Sequence, residues 1–216
     1  IYAPTSDIST EEKEILASYV AEGGKLMVVA GPTEEGVLTN LYSLLADYGV
    51  ETYEGIVVEA DRNYYAFQEP YTLLPDMNSS EITDPLIEEN YYTIIPIAQG
   101  MTVGETPSDA TVTELLTTSD AAFSKVAGYA LSTYDKEEGD IDGPFAVAVS
   151  IENDNDGQIV WFSSSYFLDD MYNAYSSGAN VDMAMNSLSS LIGENENLAI
   201  RSKSLNYNYL TISDST

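Results

Sequence analysis

The sequence predicts an α/β domain of three layers (αβα), with helices on both faces of a mostly parallel β-sheet. Two observations support this fold class. Amphipathic helical segments alternate with apolar strand-like segments through the first part of the chain, which is typical of parallel strands joined by crossover helices. Near the C-terminus, two apolar segments flank a polar turn and predict a hairpin. The length of 216 residues fits a single domain, residues 1–216, with an irregular excursion at 61–110.

The first helix and the first strand have the clearest signals. Ser9 and Glu12 form a capping box (S-x-x-E) at the start of the helix, and the pair Gly23-Gly24 ends it. Residues 25–30 (KLMVVA) are a continuous apolar run, as expected for a strand that is covered on both faces. The residues expected on the buried face of the helix are Ile15, Leu16, Tyr19 and Val20.

A leucine-rich segment predicts a second amphipathic helix, which ends at Gly49. Residues 50–59 then have the composition of the next strand of the parallel sheet. The side chains expected to point inward from the helix are Val37, Leu38, Leu41, Leu44, Leu45 and Tyr48.

The middle of the chain is less regular. The excursion at 61–110 begins with a long loop rich in Tyr, Pro and Asn, and contains a short helix at 84–90 and a strand at 92–97. Alternating polar and apolar residues at 111–117 predict a half-buried strand. The segment 135–143 (DKEEGDIDG) predicts an acidic loop.

The C-terminal part contains a hairpin, a helix and a strand. Residues 145–151 and 158–162 flank the turn sequence ENDNDG and predict the hairpin. A helix is predicted over 180–192 with Gly193 as its stop signal, and 198–201 is the final strand. The helix face expected to meet the core consists of Val181, Met185, Leu188 and Ile192.

The composition excludes several classes of function. The chain has no His and no Cys, so the commonest nucleophiles, general bases and zinc ligands are missing. Its 36 acidic residues against 7 basic ones give a net charge of −29, which disfavours binding to nucleic acids and to anionic membranes. The turn ENDNDG lacks the acidic twelfth ligand of a calcium loop, because Ser163 stands there. We therefore predict a protein that is not an enzyme and that has no cofactor or metal.

Two surfaces are candidates for ligand or partner contacts. Gly31, Pro32 and Thr33 follow the first strand, and Ser163, Ser164 and Ser165 follow the last strand of the hairpin. If both strands are central, these segments converge at the carboxyl edge of the sheet, where α/β folds bind ligands. The second candidate is the loop that carries Tyr64 and Tyr65, since exposed tyrosines can form a contact face.

The ordered segments resemble a known family. The opening IYAPTSDISTEEKEILASYVAEGGKLMVVAGP and the C-terminal GANVDMAMNSLSSLIGENENLAIRSKS are similar to the auxiliary proteins of uncharacterised ABC-type transporters. That group includes the gliding-motility ABC-transporter auxiliary component. The sequence departs from the family at Ser163 and Ser164, where Gly-Asp is frequent, and at Ser190, where Trp is usual. The matching positions include Pro4, Asp7, Ile8, Ser9, Gly23, Gly24, Asn180, Asp182, Asn186, Leu188, Leu191, Ile200, Arg201 and Lys203.

The resemblance implies a flavodoxin-like or class I glutamine amidotransferase-like fold. It also implies a location on the extracytoplasmic side of the bacterial cell membrane, with anchoring helices elsewhere in the full-length protein. The implied partners are the membrane or ATP-binding subunits of an ABC transporter. The chain begins without Met, within an apparent strand end, so we interpret it as an excised part of a longer protein. Two alternatives stay open: a glycan-binding surface protein that uses the Tyr-rich loop, and a hydrolase built on carboxylates alone.

Overall fold

The computed structural model describes residues 1–193, and the predicted strand at 198–201 lies outside them, as do the family positions Ile200, Arg201 and Lys203. The helices are α1 (Thr10–Ala21), α2 (Thr39–Ala46), α3 (Asp84–Glu88), α4 (Asp170–Tyr175) and α5 (Ala179–Ile192). The strands are β1 (Lys25–Val29), β2 (Val50–Tyr53), β3 (Ile56–Val58), β4 (Thr72–Leu73), β5 (Asp76–Met77), β6 (Ile95–Pro96), β7 (Gly100–Val103), β8 (Ala110–Thr117), β9 (Phe123–Lys125), β10 (Ile141–Asp142), β11 (Ala146–Asn153) and β12 (Gln158–Phe162).

The main sheet has seven strands and mixed topology. Strand β1 pairs in parallel with β12, and β12 forms an antiparallel hairpin with β11. On its other side β11 pairs with β8 along most of its length and with β7 at its start. Strands β2 and β5 complete the sheet, and both pair antiparallel with their neighbours, β7 and β8. The remaining short strands form two small antiparallel sheets, β10-β9-β3 and β4-β6.

The predicted three-layer αβα fold with a mostly parallel sheet, of flavodoxin-like or amidotransferase-like type, is therefore wrong. Among residues 1–193 the β1–β12 ladder is parallel and the other ladders are antiparallel. The prediction assumed that β2 returns beside β1 after the crossover helix α2. Instead β2 lies on the far side of β11, paired with β7. Its half-exposed pattern suits an antiparallel strand with one solvated face rather than a buried parallel strand.

Residues 50–59 were expected to form one strand, and the structure divides them. Strand β2 ends at Tyr53, and β3 begins at Ile56 in a different sheet, paired with β9. Gly55 between them has a positive φ of 113°. A side chain at that position would overlap the backbone carbonyl of Lys125. Only glycine therefore fits at this turn.

The core lies on the two faces of the main sheet, and β1 contributes to both because its side chains alternate between them. Val28 joins a cluster with Val20 of α1 and Leu41 of α2. Val29 joins the opposite cluster with Ala184 and Leu191 of α5. The strand β1 is thus covered by helices on both faces of the sheet, as its continuous apolar run predicted.

Several local predictions are confirmed. Helix α1 begins with the Ser9–Glu12 capping box, in which both reciprocal hydrogen bonds are present. The hairpin β11–β12 forms around ENDNDG, where the Asn153 side chain accepts hydrogen bonds from two turn amides. Helix α3 and strand β8 lie where the pattern placed them. Among residues 1–193, no helix is both long enough and apolar enough to cross a membrane.

The orientation predicted for two helices is wrong in part or in full. On α1, Val20 is buried, but Ile15 and Tyr19 are 67% and 50% exposed. On α5 the predicted core face is the exposed face: Val181, Met185, Leu188 and Ile192 all point outward. Small residues explain the choice, because Ala184 and Ser187 on the buried face let the helix approach the sheet closely.

Candidate contact cleft at the end of strand β1

The two segments predicted to converge lie side by side. Because β1 and β12 are parallel neighbours, the residues after them leave the sheet at the same edge. The Gly31 N–H donates to the Ser165 Oγ at 3.0 Å. A Cβ on Gly31 would lie 2.8 Å from the Ser165 nitrogen and 2.9 Å from the Ser164 Cα. Glycine is required here by this close approach of two backbones.

Ser163 and Ser164 are fully buried beneath this crossing. The Ser163 hydroxyl donates to the Val147 carbonyl at 3.0 Å, and the Ser164 hydroxyl donates to the Pro96 carbonyl. Both hydroxyls therefore tie strand ends together and present no atom to solvent. Of the predicted serines, Ser165 alone is partly accessible.

Gly31, Pro32 and Thr33 line a cleft of about 220 Å³. Residues 126–130 form the facing wall, and Tyr42 and Leu38 contribute apolar side chains. The predicted serines do not line this cleft, whereas the wall at 126–130 was not anticipated. No local pattern marks that wall, since it reaches the cleft only because β9 pairs with β3.

A buried ion pair holds the facing wall in place. The Lys125 Nζ is inaccessible to solvent and lies 2.6 Å from Glu137 and 2.9 Å from Asp140. Burial acts to lower the pKa of Lys125, but hydrogen bonds to Glu137 and Asp140 outweigh it and the pKa is raised. Two carboxylates of the acidic loop predicted at 135–143 thus pair with this one lysine.

Asp140 is the centre of this arrangement. Its carboxylate also accepts the backbone N–H groups of Val126 at 3.2 Å and Glu137 at 2.8 Å. Burial acts to raise the pKa of Asp140, yet these bonds and Lys125 together hold it below its usual value. A charge-assisted clamp therefore joins the base of the cleft wall to the acidic loop.

Tyr129 bridges the two walls of the cleft. Its hydroxyl donates to the Pro32 carbonyl at 3.2 Å. Burial raises the pKa of this hydroxyl, and neighbouring Tyr166 and Glu34 raise it further. The hydroxyl therefore remains a donor across the neutral pH range, and the bridge is a direct contact between segments 97 residues apart.

The cleft has an acidic rim. Its lining includes the exposed carboxylates of Glu34 and Glu54, and among residues 1–193 no Lys or Arg lines it. The net charge of −29 adds a negative field over the whole molecule. This cleft is electrostatically suited to a cationic group.

Tyr64 and Tyr65 lie in a different part of the surface and do not line the cleft. The Tyr64 hydroxyl donates to the Asp76 carboxylate at 3.0 Å, which raises its pKa. The guanidinium of Arg62 lies 4.7 Å from the centre of the Tyr65 ring. Both side chains are half-buried and take part in contacts that order their own loop. Within residues 1–193, no group of three or more acidic side chains is arranged to hold a metal ion.

The fold has a structural counterpart among solved proteins. No protein-family model matches this sequence. No curated protein matches it either. The chain is similar in structure to a solved "mmIFT52 N-terminal domain", with a TM-score of 0.61 and 18% sequence identity over 88% of this chain and 74% of that one. At this identity the likeness concerns the fold alone.

Proposed function

We propose that this chain is a non-catalytic, extracytoplasmic domain of an ABC-transporter-associated membrane protein, and that it binds a partner protein through the cleft beside β1. The observation that supports this most is the construction of the cleft. Two loops from distant parts of the chain are fixed by the Gly31–Ser165 crossing and the Tyr129–Pro32 bridge. A preformed concave surface of this kind binds with a reduced ordering cost.

The chemistry at the cleft favours binding over catalysis. The Ser163 and Ser164 hydroxyls donate hydrogen bonds to backbone carbonyls, and there is no His to activate a serine. A carboxylate-based hydrolase needs one carboxyl group that an apolar environment keeps protonated. Glu34 and Glu54 are both exposed to water, so neither lies in such an apolar environment. Their carboxylates are suited to contacts with Lys or Arg side chains.

The partner and the location are proposed from the sequence resemblance. The auxiliary proteins that this chain resembles accompany the membrane and ATP-binding subunits of ABC transporters. An acidic cleft on an extracytoplasmic domain fits a basic segment on the extracytoplasmic surface of the membrane subunit. Electrostatic attraction of this kind raises association rates and weakens with salt.

The test is co-purification of the full-length protein with the transporter subunits encoded beside it. We expect a complex whose affinity falls about tenfold when Glu34→Lys and Glu54→Lys are combined, because each exposed ion pair contributes about 0.2–1 kcal/mol and reversal adds repulsion. The matched control combines Glu14→Lys and Glu88→Lys, which change the same charge at exposed positions outside the cleft. Absence of the complex, or an equal loss in the control, would reject the proposal.

A further inference from the structure

Helix α5 exposes an apolar stripe. Of its 14 residues, the exposed ones are Val181, Met185, Leu188 and Ile192, with 40%, 41%, 40% and 60% of their surface accessible. The face between them and the sheet is already filled by buried side chains. The most exposed side chains of this helix are therefore apolar, with Asp182, Asn186 and Ser190 partly exposed beside them, in a protein whose net charge is −29. Such a contiguous stripe marks an interaction surface.

The spacing of the stripe indicates what covers it. Intervals of four, three and four residues are those of the core positions of a coiled coil. The pattern is also symmetric about the midpoint between Asn186 and Ser187. In an antiparallel pair of these helices, Val181 faces Ile192 of the other copy, and Met185 faces Leu188. The stripe is thus complementary to itself under a two-fold axis, which is the requirement for an isologous dimer.

Helix α5 presents little charge to a second copy at this surface. Helix α5 carries one carboxylate, Asp182, and no basic residue. An antiparallel arrangement places the two Asp182 residues nine positions apart along the axis, or about 13 Å. That separation exceeds the Debye length of about 10 Å at 0.1 M salt. A chain with a net charge of −29 can approach its own copy here without opposing carboxylates at the contact.

We propose that the protein self-associates as a two-fold dimer through antiparallel pairing of α5, with the axis beside Asn186 and Ser187. This inference is independent of the cleft and of any transporter. The charges outside the contact repel one another, so the dimer is weak at low salt. Raising NaCl from about 0.05 M to about 0.5 M shortens the Debye length from roughly 14 Å to roughly 4 Å and strengthens the dimer.

The first experiment is sedimentation velocity on the 216-residue chain over a range of protein and salt concentrations. We expect a monomer–dimer equilibrium that combined Met185→Glu and Leu188→Glu abolishes. The matched control combines Ile15→Glu and Tyr19→Glu on α1, which replace two exposed apolar residues one helical turn apart on another helix and leave the dimer intact. Circular dichroism verifies that all variants remain folded. A wild-type chain that stays monomeric at every protein and salt concentration overturns the proposal. This outcome would include the case in which residues 194–216 of the same chain cover the stripe.

The second experiment measures the orientation of the helices. The chain has no native Cys, so single-cysteine variants can be cross-linked cleanly with the short reagent bis-maleimidoethane. We expect Met185→Cys to cross-link to itself, because the two copies lie three positions apart, or about 4.5 Å along the axis. Ile192→Cys does not, at about 16 Å, but it cross-links to Val181→Cys in a mixture. Self-cross-linking of Ile192→Cys would indicate parallel pairing and overturn the two-fold geometry.

Discussion

Asn180 provides the sharpest test of how the structure holds its loops together. This side chain is completely buried at the start of α5. Its Nδ2 donates to the carbonyls of Ile94 at 2.8 Å and Phe167 at 2.7 Å, and its Oδ1 accepts the Ile94 N–H at 2.9 Å. One amide thus joins two loops that are distant in sequence to the first turn of the helix.

The substitution Asn180→Ala removes all three bonds and leaves three backbone groups without partners. Each buried unsatisfied group costs about 1–3 kcal/mol. The better helix propensity of Ala returns about 0.5 kcal/mol, and a water molecule in the vacated space restores part of the rest. We expect a loss of about 3–5 kcal/mol in the free energy of unfolding, which is a large share of the 5–15 kcal/mol typical of a domain.

The assay is urea unfolding followed by the fluorescence of Trp161, the single tryptophan, which is fully buried. The control is Asn186→Ala on the same helix. Asn186 is partly exposed and makes one bond, from its Nδ2 to the Ile82 carbonyl at 2.9 Å, so its loss should cost about 0.5–1.5 kcal/mol. If Asn180→Ala is no more destabilising than Asn186→Ala, the three-bond clamp does not contribute as described.

Two further predictions concern the cleft and its supporting wall. Gly31→Ala should lower the free energy of unfolding by about 1–3 kcal/mol, since the new Cβ lies 2.8 Å from the Ser165 nitrogen. In the same urea assay the control Gly104→Ala should be close to neutral, because its new Cβ would have its nearest neighbour at 3.4 Å. Equal effects of the two substitutions would refute the steric argument. Because the pKa of Asp140 is lowered in the folded state, its stabilising contribution is complete above the unfolded value of about 4 and is lost as the pH falls through the folded value. Asp140→Asn should therefore flatten the loss of stability below about pH 4, measured by thermal unfolding, whereas Asp142→Asn, at an exposed ion pair, should leave that dependence unchanged.

The candidate site was predictable only in part. The sequence placed Gly31–Thr33 and the three serines at adjacent strand ends, and they are adjacent because β1 and β12 form a parallel pair. It did not indicate that Ser163 and Ser164 are buried, because the Val147 and Pro96 carbonyls that receive their hydroxyls come from other strands. The wall at 126–130 and its Lys125–Asp140 clamp were missed for the same reason. Each depends on a contact that local sequence does not specify.

The sequence by itself determined the local elements of this protein: the capping box of α1, the buried strand β1, the β11–β12 hairpin and the extent of α5. These elements are governed by interactions between residues close in the chain, and their sequence patterns predict them. Tertiary structure decided that β2 pairs with β7 instead of following β1 in a parallel sheet. It also decided which face of α5 meets the core, because close packing of Ala184 and Ser187 against the sheet outweighed the larger apolar stripe on the other side. Strand partners and helix orientation are chosen by the fit of distant surfaces, and hydrophobic periodicity alone does not identify the surface on which an apolar face will pack.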